Sequence, residues 1–303
     1  MEYIKCVLCN EDDTVMLFKC SDLRYSTSNE SFTLVKCNKC GLVYINPRPE
    51  KIAIDKYYSD NYRPRKTLDA ESLKRRIKKY TNKYIALRME NPWYIDIPPG
   101  ANVLDIGCGS GELLMRLEEL GCNAYGIDVD EITSNHLRKE MNLNVTTCDI
   151  DDGCSFQDNF FDVIIMRHSL EHVHDPVKVI QEVKRIMKLN GELIIGIPNI
   201  ESVMARLTGE YWTDLDIPRH LFHFNPSTIS RLLARSGFSV EKIHHEFKVM
   251  NKGNIRKWIS AKSLSYFIGL RPIVTMMGKL GSLCHKGEWI IVKARKEGAI
   301  ICD

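Results

Sequence analysis

Short apolar runs recur at residues 103–106, 124–127, 144–148, 161–166, 191–197, 239–243 and 289–294, each bounded by glycine, proline or polar residues. Runs of that length read as strands, and residues 161–166 read as one buried in the middle of a sheet. Between them the pattern turns helical. A helix begins near Glu112, a second starts at Asp175-Pro176 with an N-cap acid and a first-turn proline, and a third opens at Asn225-Pro226 and stops at Gly237. Strand and helix in alternation predict an α/β fold with a doubly wound sheet.

The first of these strands runs into a glycine turn, Gly107-Cys108-Gly109-Ser110-Gly111, and the next ends on Asp128. Glycines allow a tight turn and let a ligand approach bare backbone. An acid ending the neighbouring strand can accept both hydroxyls of a ribose. The spacing separates two cofactor classes. A dinucleotide fold wants a sixth-position glycine under the pyrophosphate, and that position is Glu112. A carboxylate there repels a pyrophosphate, whereas Asp105, just before the turn, favours a cofactor that carries an ammonium group.

This turn resembles motif I of the class I S-adenosylmethionine (SAM) methyltransferases, and the resemblance continues over residues 100–297. It implies a Rossmann-like sheet of seven strands, the last antiparallel. It also implies site residues: Asp105, Gly107, Cys108, Gly109 and Gly111 at the methionine end of SAM, Asp128 and Val129 at the ribose, and Asp149 and Ile150 at the adenine. Arg167, ending the fourth strand, completes the implied cofactor set.

The amino-terminal region carries other chemistry. Cys6 and Cys9 form one knuckle, and Cys37 and Cys40, followed by Gly41, form a second. Two such knuckles predict a closed, tetrahedral structural zinc site and leave Cys20 as a spare thiol. The segment Asn46-Pro47-Arg48-Pro49 then reads as a stiff exit. A zinc ribbon with such a segment is similar to the leader of many bacterial methyltransferases associated with surface-polysaccharide and natural-product pathways. The expected organisation is a zinc ribbon over 1–45, linker or lid helices over 46–95 that include Tyr57, Tyr58, Tyr62, Arg63 and a basic run from Lys74 to Lys79, and a methyltransferase domain over 96–297.

For an oxygen acceptor, methyl transfer needs alignment, exclusion of water and removal of a proton. Two segments offer histidines. After the fourth strand comes Arg167-His168-Ser169-Leu170-Glu171-His172, in which Glu171-His172 matches the Glu-His of many such enzymes, so His172 is the first candidate for a base or acceptor-positioning residue. His174 reads as surface. The ubiquinone-biosynthesis O-methyltransferases have a carboxylate where this chain has His168, which changes the charge of a patch associated there with a divalent cation. The second segment spans 211–224: Arg219 is a candidate for a phosphate or carboxylate, His220 for the reacting group, and Tyr211 and Trp212 for a stacking wall. Packing is the competing reading for all of them, with His223 and Phe224 in the core.

The chain has 303 residues and a net charge of +3, too small to indicate a nucleic-acid surface. Eleven cysteines suit a reducing compartment, no signal peptide is evident, and no stretch approaches a membrane span, so a cytoplasmic protein is expected. Residues 247–287 hold bases without an acid, interleaved with apolar residues, between the last two strands. That suits an anionic or lipid-linked acceptor and peripheral contact with the inner membrane surface, or equally a packed helical hairpin. The resulting expectation is a SAM-dependent methyltransferase acting at oxygen on a small-molecule or glycan acceptor. An RNA base methyltransferase and a non-catalytic SAM-binding module stay open as alternatives, and oligomeric state is not legible.

Overall fold

The computed structural model describes residues 1–58, 97–246 and 285–298. Its contacts divide the chain into one unit of Met1–Ser59, Gly196–Leu232 and Ile243–Ile291 and another of Asp60–Ile195, Leu233–Lys242 and Val292–Asp303. Most of the expected linker helices and of the basic insertion, including Tyr62, Arg63 and Lys74–Lys79, lies outside the described residues. The described strands are β1 (Thr14–Cys20), β2 (Phe32–Cys37), β3 (Val43–Ile45), β4 (Asn102–Ile106), β5 (Asn123–Asp128) and β6 (Val145–Thr147). They continue with β7 (Phe161–Arg167), β8 (Met187–Pro198), β9 (Phe222–His223), β10 (Phe238–Glu246) and β11 (Trp289–Lys296).

Seven strands form the expected sheet, in the order β10-β11-β8-β7-β4-β5-β6, with β4 parallel to both β5 and β7. Central strands are buried along nearly their whole length, while β6 at the edge exposes Thr146 and Thr147. That is the division expected of a parallel sheet covered by helices. The helix Pro176–Ile186 starts as its sequence predicts: Asp175 accepts from the N–H groups of Val177 and Lys178, and Val179, Ile180, Val183 and Ile186 are buried along one face. The strands β8, β10 and β11 run longer than their apolar cores suggest, from Met187 to Pro198, from Phe238 to Glu246 and from Trp289 to Lys296.

The ribbon unit is built on a four-stranded sheet, β1-β2-β3-β9, antiparallel throughout. Its fourth strand comes from far along the chain: Val43 pairs with His223 and Tyr44 with Phe222. The core of this unit likewise joins Phe32, Leu34, Val43, Ile45 and Tyr57 to Met204, Trp212, Leu215 and Ile217. Asn46, in the expected exit segment, instead closes the ribbon: its side chain exchanges 3.0 Å hydrogen bonds with both the N–H and the carbonyl of Ile4. Arg48 pairs through its backbone with Glu2, and Nε of Arg48 lies 2.8 Å from Oε1 of Glu2. Residues 51–57 form a 3₁₀ turn where helices were expected to begin.

Candidate functional site

At the end of β4 the chain turns immediately, and the N–H groups of Gly107 and Cys108 both donate to the carbonyl of Ile127, at 2.8 and 3.1 Å. Two glycines of the turn have separate reasons to be glycine. At Gly107, with φ +78°, a side chain would start 3.0 Å from Cβ of Ser169. Gly109, with φ +52°, would meet nothing nearer than a carbonyl 4.0 Å away, so its backbone faces open space. A ligand can lie against that face.

Asp128 is tied into the same turn. Its Oδ2 accepts from the Gly109 N–H and its Oδ1 from the Asp130 N–H, each at 2.9 Å, which fixes the carboxylate's orientation. Asp130 in turn caps the helix Glu131–Lys139 through the Thr133 N–H, a supporting role that sequence spacing did not single out. The Cys148 N–H donates to the Asp128 carbonyl, so the end of β6 lies alongside. There Asp149 caps a 3₁₀ turn, accepting from the Asp151 N–H at 3.0 Å, and Ile150 is buried within that turn. Asp151 reaches further: its carboxylate accepts from the N–H groups of His174 and Asp175, at 2.8 and 3.0 Å. Cys108 is buried, Val129 is exposed, and Gly111 stands at the N-cap of the helix Glu112–Glu119.

Asp105 is the unusual member. Its side chain is 1% exposed, and Oδ2 has no hydrogen-bond partner among the described residues. The Arg167 guanidinium stands 3.9 Å away, too far for a hydrogen bond. Burial raises the Asp105 carboxyl to about 6, with Arg167 pulling the other way. A buried carboxylate oxygen without a donor is costly, and an ammonium group would supply both a donor and the opposite charge. These residues therefore fit the methionine end of SAM.

Beyond β7, His168 has φ +55° and sets Nδ1 3.3 Å from Oε1 of the buried Glu171. His172 ends the 3₁₀ turn Leu170–His172 and is half-buried. His174, expected on the surface, is buried, because Asp151 draws its backbone inward.

In the ribbon unit, the sulfur atoms of Cys6, Cys9, Cys37 and Cys40 all lie within 4.8 Å of one another. Cys6 and Cys40 approach to 3.3 Å, and Cys9 and Cys37 to 3.4 Å. Tetrahedral zinc with bonds of about 2.3 Å needs sulfurs at roughly this separation, so the four residues fit the ion. Cys20 stands apart in the core, its thiol pushed up to about 12 by burial.

The segment 211–224 requires a correction. Arg219 has no exposed side-chain surface and is surrounded by protein partners: both carboxylate oxygens of Asp22, Oδ1 of Asp216 and the Tyr57 carbonyl. Its guanidinium also lies 4.7 Å from the ring centre of Tyr25. Its donors are engaged by the fold, which leaves none aimed at a phosphate or carboxylate of an acceptor. Trp212 is in the core, not a free stacking wall. His220 is buried but differently held: Nδ1 is 2.8 Å from the Asp214 carbonyl, and Nε2 is 3.7 Å from Oδ2 of Asp216. His223 and Phe224 are core. Sequence reasoning missed Asp22 and Asp214, whose partners lie far along the chain or meet a backbone group that no spacing reveals, and it gave no role to Asp216, three positions before Arg219.

The sequence model of a methyltransferase domain matches residues 70–243. A ubiquinone biosynthesis O-methyltransferase of Xanthomonas axonopodis pv. citri is 26% identical over 172 residues, which cover 53% of this chain and 69% of that one. One from Nitrosospira multiformis is 27% identical over 156 residues, 48% of this chain and 65% of that one. The match thus spans about two thirds of the length of these relatives. Among solved structures, a chain from the complex of the Haloferax volcanii Trm112 methyltransferase activator with its provisionally assigned methyltransferase aligns with TM-score 0.52 and 15% identity, over 74% of this chain and 94% of that one. A Galdieria sulphuraria protein provisionally named a sarcosine dimethylglycine methyltransferase gives TM-score 0.50 and 15% identity, over 76% and 92%. At such identity the structures speak for the fold alone.

Proposed function

The chain belongs to the methyltransferase-domain family, which makes it a class I SAM-dependent methyltransferase, and on that premise we propose that it methylates an oxygen of a small-molecule acceptor, saccharides included. The buried, donor-less oxygen of Asp105, together with the open face of Gly109, carries the cofactor part of this reading. The names of the ubiquinone-pathway relatives support the choice of oxygen.

When bound, SAM supplies a methyl group on a sulfonium for in-line displacement by an acceptor oxygen. Asp105 would neutralise the amino end of the cofactor, Asp128 would accept from the ribose, and Asp149 would meet the adenine. The acceptor hydroxyl loses its proton as the carbon–oxygen bond forms, and a histidine is suited to take it near neutral pH. His172 and His220 are the candidates, each from its own unit. Zinc on Cys6, Cys9, Cys37 and Cys40 belongs to the same proposal as a structural ion: four thiolates leave no open position for chemistry.

The test is calorimetric titration with SAM, followed by an assay for S-adenosylhomocysteine with phenolic, alcoholic and sugar acceptors. His172→Ala and His220→Ala are expected to keep SAM affinity, and loss of the base is expected to lower turnover by roughly 10²- to 10⁴-fold. Tight SAM binding with no turnover on any hydroxylated acceptor would sink the reading in favour of a binding module.

A further inference from the structure

The loop that carries His220 is tied to the first residue of β11 through the side chain of Asp214. Asp214 is buried, and its Oδ2 accepts from the indole N–H of Trp289 at 2.9 Å. The backbone carbonyl of the same residue lies 2.8 Å from Nδ1 of His220. A carbonyl only accepts, so that contact is a hydrogen bond only if Nδ1 carries the proton. Neutral His220 then bears its lone pair on Nε2, where a proton can be received.

The anchor itself is well held. Trp289 follows Gly287 and Glu288, whose carbonyls accept from the side chain and the backbone N–H of Asn199, at 2.9 and 2.8 Å. It is followed by Ile290 and Ile291, both fully buried. Trp289 thus offers an N–H donor from a fixed position, whereas Asp214 sits in a 3₁₀ turn, Thr213–Leu215, that ends in a left-handed residue, Asp216. Such a turn has few backbone bonds of its own to set the direction of one carbonyl.

We infer that Trp289 and Asp214 are positioning residues: the indole fixes the Asp214 side chain, the fixed residue aims its carbonyl at Nδ1, and the carbonyl selects the His220 tautomer that accepts a proton at Nε2. Asp216, 3.7 Å from Nε2, is close enough to steady the imidazolium that forms and too far to hold the neutral ring by a hydrogen bond. On that reading the acceptor's O–H bond would break and its proton go to Nε2, while the oxygen's electron pair would form the bond to the methyl carbon as the carbon–sulfur bond breaks, its pair staying on the sulfur of the departing S-adenosylhomocysteine. This inference rests on the reading of His220 as the base.

The experiment follows the His220 ring by long-range ¹H–¹⁵N NMR on the full chain labelled at histidine, alongside steady-state kinetics. In the native protein above the ring's titration, Nδ1 is expected protonated and Nε2 bare; the opposite tautomer overturns the inference without any variant. Trp289→Phe keeps an aromatic ring and removes the donor. It is expected to mix the tautomers and lower kcat by roughly 10- to 100-fold, the scale of a misplaced reacting group, with KM and SAM affinity changed less than threefold. Asp214→Leu is expected to match it, and Asp214→Asn, whose amide oxygen still accepts from the indole, to recover most of the loss. An unchanged tautomer in both Trp289→Phe and Asp214→Leu overturns the positioning role. A shifted tautomer with undiminished kcat overturns instead the reading of His220 as the base.

Discussion

Asp22 and Arg219, 197 positions apart in the sequence, meet in a two-pronged ion pair, Nη1 to Oδ2 at 2.9 Å and Nη2 to Oδ1 at 2.7 Å, with neither side chain exposed. Both belong to the ribbon unit, and the pair joins the stretch between the two cysteine knuckles to the loop that carries His220. The contact with Arg219 and bonds from Thr27 and Tyr25 hold the Asp22 carboxyl well below the usual carboxylate range, against the opposing effect of burial.

Removing one partner leaves the other charged and buried, which typically costs about 3–5 kcal/mol. Arg219→Met is therefore expected to destabilise the protein by several kcal/mol in chemical denaturation, and Asp22→Asn by a comparable amount. Retained stability together with a specific rise in acceptor KM would restore Arg219 as an acceptor contact.

The affinity for SAM is expected to depend on pH through Asp105. Its carboxyl, raised to about 6 by burial, is ionised at neutral pH and protonates as pH falls through 6. Only the ionised form balances an ammonium group, so affinity should be constant above pH 7 and fall below 6, by up to about tenfold per pH unit. In Asp105→Asn, affinity should be low and this dependence flat. Calorimetry between pH 5 and 8 is the check, and a native profile without the acid limb would remove Asp105 from the amino end of the cofactor.

One zinc per chain is expected by metal analysis. Cys37→Ser should lower the zinc content and destabilise the ribbon, since a structural site contributes directly to folding. Chelation should act likewise. A fully folded, zinc-free ribbon unit would contradict the assignment.

His223 predicts acid sensitivity of the same unit. Burial lowers its ring to about 3 from an ordinary value of 6.5. Between those values the unfolded chain binds a proton that the folded chain does not, so stability present above pH 6.5 is lost as pH falls towards 3. His223→Phe should make this limb shallower in denaturation curves taken at pH 4, 5 and 7. Curves for the two proteins that run parallel would show that the acid limb has another source.

The sheet and the glycine turn after its first strand were legible because their signals are local. Asp105, the glycines and Asp128 occupy consecutive strand ends, and Asp175 caps a helix that begins one residue later. The cysteine knuckles were legible for the same reason. The ribbon's true extent was not: β9 is two residues long, and nothing in Phe222 and His223 indicates Val43 and Tyr44 as partners. Arg219 misled for a related reason. An arginine in a polar loop reads as a ligand for anions until the anions are found to be Asp22 and Asp216. His174 showed the opposite error, since its burial follows from a backbone bond to Asp151 and not from its own side chain.

The pairing of β3 with β9 bears on how such a protein can be reshuffled. A ribbon whose sheet ended at its own third strand could be cut away or exchanged as an independent module. Here, excising residues 1–58 would strip β9 of its neighbour and uncover Met204, Trp212, Leu215 and Ile217, leaving an open strand edge beside apolar surface, a combination prone to aggregation. A successful graft must carry the later stretch, residues 199–224, along with the first, so the two segments are inherited as one piece although nearly half of the chain lies between them.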